Sequence, residues 1–417
     1  MNGEIIAVGD ELTSGRIVNS TSYFAASHLF GAGHTITTMT TVGDEAEVIG
    51  RALRKAIDRA DFVVLTGGLG STSDDITSVA ASQALNRPQT FYPEIFARIK
   101  ENKAFKDSPD MAKMAWLPSG AEVLKPDEKM AGFMLVFDEK PIFFLPGVPH
   151  QMRELMLDRV IPILATWQEN SFHLVHQKIY KIFGADEMEI SRRLAHLEKQ
   201  AKGIRIGYYP MAAEVHVSLT VRTDSCKQTR RLFMDYEKAL KSALDDLIYG
   251  EDDASMASVT GALLADRGFH LALAESCTGG LMANMVTSVP GSSAYFQGGV
   301  VAYANLVKEQ LLGVSTATLE NFGAVSEETA REMALGACRA TNAEIGVATS
   351  GIAGPDGGTA DKPVGTVCFG LATPTGTIQQ THHFSGKRPM VQAKAATMGL
   401  DLVRRYLLGL LTPPSPS

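Results

Sequence analysis

Cysteine is scarce in this chain, with four residues out of 417, and no two of them form a Cys-x-x-Cys pair. This argues against zinc and dithiol redox sites, and so few thiols in so long a chain are typical of a reducing compartment. No apolar run reaches the roughly 20 residues of a membrane span. The first residues, Met1 to Glu4, carry an acid and lack the features of a signal peptide. We therefore expect a cytoplasmic protein without a membrane partner.

Blocks of basic charge are also missing. The net charge is −7, and the chain lacks the electrostatic footprint of a protein that binds nucleic acid directly. Glycine, in contrast, is plentiful, with 38 residues. A chain of 417 residues exceeds one ordinary core. Its composition favours an α/β protein of two or three domains with many glycine turns.

The N-terminal third alternates short apolar strands with helical segments. Strands are predicted at 4–8, 62–65 and 141–145, and each runs into a polar or glycine-rich loop. This alternation indicates a parallel, doubly wound sheet with helices on both faces. Ligands of such folds bind beyond the carboxyl ends of the strands, where these loops lie.

Carboxylates gather in two of these loops. Acids around a glycine-rich loop are what a hard divalent cation needs to bridge the protein and substrate phosphates. The alternative is that Asp10 and Asp74 are helix caps or turn residues. The candidate N-terminal site consists of Asp10, Glu11, Gly67, Gly68, Gly70, Thr72, Asp74 and Asp75, with Asp10, Asp74 and Asp75 as metal ligands.

The C-terminal third is arranged around the segment Ala274 to Gly280, with the sequence AESCTGG. It follows a buried strand at 270–274 and opens a helical segment at 280–286. Ser276 at such a turn is either a helix N-cap or a nucleophile whose oxyanion is held by backbone N–H groups of the turn.

A serine nucleophile needs a base, and no Ser/His/Asp set is evident in this region. Lys308 is the alternative, provided that burial lowers the pKa of its amine. Tyr303 is expected to orient that amine or relay a proton. The alternatives are a solvated lysine and a core tyrosine. The glycine-rich loop 351–358 and Arg388 are candidate phosphate contacts, and the loop lacks the Lys-Ser/Thr ending of an ATP-binding Walker motif.

These motifs, together with Lys362 to Val367, resemble the competence/damage-inducible protein A (CinA) family over nearly the whole chain. The resemblance implies a C-terminal nicotinamide-nucleotide amidohydrolase that converts nicotinamide mononucleotide and water to nicotinate mononucleotide and ammonia without a cofactor. The family's nucleophile falls on Ser276, and its tyrosine and lysine fall on Tyr303 and Lys308. The expected substrate-binding residues are Thr278, Gly279, Gly280, Ser350, Gly351, Gly354 and Arg388.

The resemblance also implies three domains in a homodimer. They are a molybdopterin-binding-like domain at 1–168, a small α+β module at 169–250 and the α/β amidohydrolase domain at 251–412. In several family members the first domain is an ADP-ribose pyrophosphatase that uses Mg, Mn or Co. The module has a βαββα pattern without a catalytic cluster, and we expect it to be architectural.

Two positions depart from the family pattern. Ser71 stands where proline is usual, and Gln151 where glutamate is usual. A lost carboxylate is expected to weaken metal binding. The alternative is therefore that only one site is active and that the N-terminal domain is a nucleotide- or pterin-binding module, or an adaptor in competence or DNA damage.

Overall fold

The computed structural model describes residues 1–101, 109–125, 132–167, 174–199, 203–223 and 226–414. The chain divides into two units, residues 1–177 with 221–232 and residues 178–220 with 233–417. The predicted boundary between residues 168 and 169 lies outside the described residues. Within the described ranges, no helix is both long enough and apolar enough to cross a membrane.

The N-terminal region is built on a six-stranded sheet. Its elements are β1 (Asn2–Val8), α1 (Asp10–Thr13), α2 (Ser20–Gly31), β2 (Thr35–Val42), α3 (Ala46–Arg59), β3 (Phe62–Thr66), α4 (Thr77–Ala84), β4 (Gln89–Phe91), α5 (Pro93–Glu101), β5 (Trp116–Pro118), β6 (Glu122–Val123), β7 (Phe133–Phe137), β8 (Lys140–Leu145), α6 (Pro149–Leu155) and α7 (Ile161–Trp167). A π-helical turn at Met156–Val160 lies between α6 and α7.

The strand order of this sheet is β2-β1-β3-β8-β7-β6. The first four strands are parallel, whereas β7 and β6 form an antiparallel edge. Each face carries its own apolar core, one containing Leu53 of α3 and Ala80 of α4, the other containing Leu29 of α2 and Met152 of α6. Helices therefore cover both faces as predicted, but the sheet is mixed, because β7 runs opposite to its neighbours β8 and β6.

The middle module comprises β9 (Leu174–Ile182), α8 (Glu187–Glu198), β10 (Ile204–Pro210), β11 (Val215–Thr223), α9 (Cys226–Leu244) and β12 (Ile248–Glu251). Its strand order is β10-β11-β9-β12. The predicted βαββα pattern is present, with β12 added as a fourth strand antiparallel to β9. The long helix ends at Leu244, followed by a 3-10 turn at Asp245–Leu247 that leads into β12.

The C-terminal region has the elements α10 (Met256–Arg267), β13 (Leu271–Glu275), α11 (Leu281–Thr287), β14 (Phe296–Val301), α12 (Asn305–Leu312), α13 (Thr316–Phe322), α14 (Glu327–Thr341), β15 (Ile345–Gly351), β16 (Thr366–Thr373), β17 (Gly376–His383) and α15 (Arg388–Leu407). Their sheet has the order β14-β13-β15-β16-β17. Helix α15 ends four residues before the predicted limit at 411, since residues 408–411 form turns and bends.

The register of this sheet decides where the candidate residues meet. Strand β13 is parallel to β14 on one side and to β15 on the other. Glu275 at its end pairs with Val301 and with Thr349. The residues that follow each strand therefore leave the sheet at one edge, which brings Ser276 level with the start of the Tyr303 turn and with the end of β15.

Candidate active site

Ser276 is the first residue after β13, and it is almost fully buried, with 8% of its surface exposed. Its backbone N–H donates to the carbonyl of Thr349 on β15 at 2.9 Å. Its hydroxyl oxygen lies 3.2 Å from the Lys308 amine. The strand ladder thus fixes the backbone of Ser276, and the side chain faces a lysine rather than bulk water.

Lys308 lies in α12 and is 1% exposed. Its Nζ donates to the carbonyl oxygens of Ala302 at 2.8 Å and Tyr303 at 3.3 Å. Burial lowers the pKa of this amine, because desolvation disfavours the ammonium form. A neutral amine that donates two N–H groups to these carbonyls directs its lone pair toward the Ser276 hydroxyl. Lys308 therefore lies where the predicted base has to lie, with its Nζ 3.2 Å from the Ser276 hydroxyl oxygen.

Neither Ser276 nor Thr278 caps the following helix, so the capping alternative is wrong. The N-cap of α11 is Gly280, which offers no side chain. The carboxylate of Glu275 instead accepts from the N–H groups of Gly280 and Met282 at 3.0 Å each and of Ala283 at 2.8 Å. These three helix-start donors are consequently occupied, and the expectation that backbone N–H groups of the turn hold an oxyanion stays a prediction for the other residues of the turn.

The other residues of the turn pack on the side of Ser276 away from the pocket. The Thr278 hydroxyl lies 2.8 Å from that of Thr349, and Thr278 is only 3% exposed. Gly279 and Gly280 have φ angles of 62° and 95°, a left-handed conformation that glycine adopts without steric cost. These three residues are not among the residues that line the pocket, so their expected contact with substrate stays a prediction.

A pocket of about 200 Å³ opens in front of Ser276. It is lined by Ser276, Cys277, Tyr303, Lys308, Ala324, Val325, Ser350, Gly351, Ala353 and Arg388. Two of these side chains are basic, and no carboxylate is among these described lining residues. The pocket therefore suits a neutral or anionic group better than a free cation.

Tyr303 and Arg388 stand together at the rim. Tyr303 is 64% exposed, and its hydroxyl accepts from Arg388 at 3.4 Å. Arg388 also donates to the Gly354 carbonyl at 2.9 Å. The backbone carbonyl of Tyr303, not its phenol, holds the Lys308 amine. The expected role in orienting that amine therefore belongs to the main chain of Tyr303.

The remaining wall contains Ser350, which was predicted from the sequence, and Ala324 and Val325, which were not. Ser350, at the end of β15, donates its hydroxyl to the Ala324 carbonyl at 2.5 Å, which commits that proton away from the pocket. Lys362 donates to the carbonyls of Phe322 at 3.0 Å and Val325 at 2.7 Å. These contacts hold the segment 322–325 beside the nucleophile. The only sequence signal for these contacts was a lysine, Lys362, that follows the glycine-rich loop.

The glycine-rich loop has a packing role as well as its predicted binding role. A Cβ on Gly354 would lie 2.5 Å from Val364, and a Cβ on Gly351 would lie 2.7 Å from the Thr366 carbonyl. Both glycines therefore let the loop fold tightly over the segment 363–366. Because Gly354 holds Arg388 through its carbonyl, this packing also positions the arginine.

A second pocket of about 310 Å³ lies at the carboxyl ends of β1, β3 and β8. It is lined by Val8, Gly9, Glu11, Asp44, Gly67, Gly68, Leu69, Gly70, Asp74, Asp75, Pro146, Gly147 and Val148. Gly67 is required here, because a Cβ at its position would lie 2.2 Å from the Val8 carbonyl. The three predicted loops thus converge as the strand order requires.

The acids of this pocket are bound to loop amides. Asp10 accepts from the Asp44 N–H at 3.1 Å, and Asp44 accepts from that of Asp10 at 2.8 Å. Asp75 accepts from the Thr72 N–H at 2.9 Å and from its hydroxyl at 2.5 Å. Burial, together with the charges of Asp10, Glu11 and Asp74, raises the pKa of Asp44. The sequence reasoning missed Asp44 as a member of the site.

The predicted metal ligands do not form a ligand set in this structure. Over the described residues, no three His, Cys, Asp or Glu side chains converge as a metal site. Asp10 is turned toward Asp44 and does not line the pocket. Gln151, in α6, lies outside the pocket lining, with a buried Oε1 that has no hydrogen-bond partner among the described residues. The residues as placed do not fit a three-ligand metal centre.

Three family models match successive regions of the chain. Residues 4–166 match the model of a probable molybdopterin binding domain, residues 177–250 that of the damage-inducible protein CinA KH domain, and residues 253–407 that of the CinA C-terminal domain. The chain is 48% identical to a CinA-like protein from Desulfotalea psychrophila over 411 residues, covering 98% of this chain and 99% of that protein. The chain belongs to the CinA family.

Other CinA-family relatives agree with this assignment. A putative competence-damage inducible protein from Symbiobacterium thermophilum is 37% identical over 425 residues, covering 99% of this chain and all of that protein. A crystal structure of the competence/damage inducible protein CihA from Agrobacterium tumefaciens is 37% identical, with 37% of this chain and 93% of that chain covered and a TM-score of 0.36. The full-length relatives confirm the predicted family, and the match of residues 4–166 confirms the α/β fold class with a molybdopterin-binding type of N-terminal domain.

Proposed function

We propose that the C-terminal domain is a serine amidohydrolase that converts nicotinamide mononucleotide and water to nicotinate mononucleotide and ammonia. The observation that carries this proposal is the buried Lys308 amine, 3.2 Å from the Ser276 hydroxyl, at the base of a pocket without carboxylates among its described lining residues. A serine paired with a desolvated lysine is an established variant of the serine hydrolase arrangement.

In the first step Ser276 attacks the carboxamide carbon while its proton passes to the neutral Lys308 amine. The new Oγ–C bond forms as the carbonyl π electrons move to oxygen. Because Glu275 occupies the helix-start donors, the proposed oxyanion donor is the backbone N–H of Cys277, beside the nucleophile. Collapse of the oxyanion breaks the C–N bond, and Lys308 returns the proton to the departing nitrogen, which leaves as ammonia.

In the second step water attacks the ester on Ser276 and gives a proton to Lys308. The ester C–O bond then breaks, and the Ser276 oxygen takes the proton back. The carbonyls of Ala302 and Tyr303 bind the Lys308 Nζ and keep the amine facing Ser276 in both protonation states. The products are nicotinate mononucleotide and ammonia, so atoms and charges balance.

The pocket volume supports a binding mode in which only part of the substrate is enclosed. At about 200 Å³ it is smaller than the roughly 300–1,000 Å³ of a site that encloses a whole drug-sized ligand. We infer that it encloses the nicotinamide group, while the ribose and phosphate lie at the rim. Arg388 stands there at the first position of α15, where a guanidinium and a helix N-terminus both favour phosphate.

The deciding experiment is incubation of the full chain with nicotinamide mononucleotide, with identification of products. We expect nicotinate mononucleotide and ammonia in equal amounts. Release of free nicotinamide would instead indicate cleavage of the glycosidic bond. Absence of any product, with the chain folded, would contradict the proposal.

For the N-terminal domain, the family resemblance suggests hydrolysis of ADP-ribose to AMP and ribose 5-phosphate. The described carboxylates do not form a metal site, and we therefore propose the alternative, a nucleotide-binding module. Four acids line its pocket and repel a diphosphate unless a cation neutralises them. Because these acids form no metal site of their own among the described residues, we expect the cation to arrive bound to the diphosphate, so that ADP-ribose binds only with added Mg, Mn or Co.

Calorimetry with ADP-ribose and an assay for AMP separate these possibilities. Binding that depends on added divalent cation, without AMP, supports a binding module. Formation of AMP that stops on chelation supports the pyrophosphatase. The absence of binding under both conditions would contradict both and would favour the adaptor.

A further inference from the structure

The residue before the nucleophile, Glu275, is charged and yet only 1% exposed. It occupies the last position of β13, a strand whose other residues are Leu271 to Ala274. A buried carboxylate is costly unless hydrogen bonds and opposite charge compensate it. Its presence at this position therefore needs a reason that the proposed mechanism does not supply.

Three backbone donors satisfy this carboxylate. Oε2 accepts from Gly280 and Met282 at 3.0 Å each, and Oε1 accepts from Ala283 at 2.8 Å. All three belong to the start of α11, where the partial positive charge of a helix favours a carboxylate. The side chain thus ties the end of β13 to the start of α11 and spans the turn that carries Ser276.

The main chain of the same residue reaches the base. The Glu275 carbonyl accepts from the Ala302 N–H at 2.8 Å, and the Ala302 carbonyl accepts from Lys308 at 2.8 Å. The Glu275 side chain therefore binds the turn that carries Ser276. Its carbonyl binds Ala302, whose own carbonyl binds the Lys308 amine that faces Ser276.

We propose that Glu275 is a positioning residue that fixes the Ser276 oxygen relative to Lys308. The inference rests on the proposed role of Ser276 as nucleophile. The turn needs such a restraint because Gly279 and Gly280 both have a left-handed backbone conformation. Glycine leaves the backbone otherwise unrestrained. The carboxylate replaces the missing cap on Gly280 and thereby sets the geometry of the turn.

The test variant is Glu275→Gln, which keeps the size of the side chain but replaces one acceptor oxygen by an amide NH₂. That group faces backbone donors and cannot accept from them. A displacement of about 1 Å at a reacting atom lowers turnover on the order of 100-fold. We expect kcat to fall by about 10- to 100-fold, while KM changes little because Glu275 does not line the pocket.

Ser255→Ala is the matched control. Ser255 caps α10 by accepting from the Ser258 N–H at 3.1 Å, and it lies outside the pocket. Both variants remove helix-capping acceptors and are expected to lower the Tm. Only Glu275→Gln is expected to lower kcat, a split that loss of stability alone does not produce.

A second readout is independent of nicotinamide mononucleotide. A fluorophosphonate probe reacts with a serine nucleophile as the Oγ–P bond forms, fluoride leaves and the proton passes to the base. We expect Ser276 to be phosphonylated about 10- to 100-fold more slowly in Glu275→Gln than in the wild type or Ser255→Ala. If Glu275→Gln does not fold, Glu275→Asp keeps the charge but shortens the reach, and the same comparison applies.

The outcomes separate this inference from the proposed function. If wild-type Ser276 is labelled but nicotinamide mononucleotide is not deamidated, the proposed substrate is wrong. The comparison of labelling rates between the wild type and Glu275→Gln then still decides the positioning role. Equal labelling rates in the wild type and Glu275→Gln would overturn the positioning role. Wild-type enzyme that is not labelled at Ser276 would overturn both the nucleophile and its positioning residue.

Discussion

The pocket beside Ser276 and the pocket at the ends of β1, β3 and β8 are built on the same plan. Each lies at the carboxyl ends of three parallel strands, β14, β13 and β15 in one case and β1, β3 and β8 in the other. In both sheets antiparallel strands extend one side. The backbone therefore delivers loops to one edge in each region, and the difference lies in what the side chains do there.

In the C-terminal pocket the side chains that matter are buried and bind one another. Lys308 is 1% exposed and Ser276 is 8% exposed, with Nζ and Oγ 3.2 Å apart. In the N-terminal pocket Asp10, Glu11 and Asp74 are exposed, and Asp10 is bound to a loop amide. One pocket thus pairs a buried lysine with a serine, whereas the other presents carboxylates that repel an anionic ligand.

The largest effect is expected for Lys308→Met. This variant removes the base and fills the buried space with an apolar chain of similar length. We expect kcat for deamidation to fall on the order of 1,000-fold, the typical worth of a general base. Lys394→Met is the control, because this half-buried lysine of the same domain donates to the Ser385 carbonyl. Comparable losses in both variants would contradict the assignment of Lys308.

Arg388→Ala tests the rim of the same pocket. Loss of a hydrogen bond from a charged donor to phosphate costs about 1.5–3 kcal/mol, which corresponds to roughly a 10- to 150-fold weaker interaction. We expect this loss to appear mainly in KM for nicotinamide mononucleotide. Lys387→Ala, at the neighbouring N-cap, is the control. An unchanged KM in Arg388→Ala would place the phosphate elsewhere.

The pH dependence follows from the state of Lys308. Its pKa is lowered by burial, and only the neutral amine accepts the proton of Ser276. Deamidation is therefore expected to rise about tenfold per pH unit below this pKa and to level off above it. The profile of kcat/KM measures this directly. If kcat/KM instead falls as the pH rises through the pKa of Lys308, the role of the neutral amine as the base is contradicted.

The smallest effect is expected in the N-terminal pocket. Asp75→Ala removes the acceptor of both Thr72 bonds and loosens the loop without removing a direct contact to the ligand. We therefore expect the Kd for ADP-ribose with divalent cation to rise several-fold, or about 1 kcal/mol. Asp58→Ala on the exposed side of α3 is the control. If Asp75→Ala weakens ADP-ribose binding as strongly as Lys308→Met lowers deamidation, the proposed difference between the two pockets is contradicted.

Strand periodicity was sufficient to predict which loops converge, because the carboxyl ends of parallel strands share one edge. It placed Ser276 near Lys308 correctly. It did not predict that Glu275 caps α11, since an acid at the end of an apolar strand looks solvent-exposed until the direction of the next turn is known. The pairing of Asp10 with Asp44 was missed for a similar reason, because it joins two loops 34 residues apart.

The central claim is that Ser276 is the nucleophile and not a helix cap. Acid quenching of the enzyme during turnover of nicotinamide mononucleotide, followed by mass spectrometry of its peptides, tests it most directly. We predict the mass of an acyl ester on the peptide that contains Ser276, and no ester or turnover in a folded Ser276→Ala variant of unchanged Tm. Near-normal ammonia release by that variant would contradict the account.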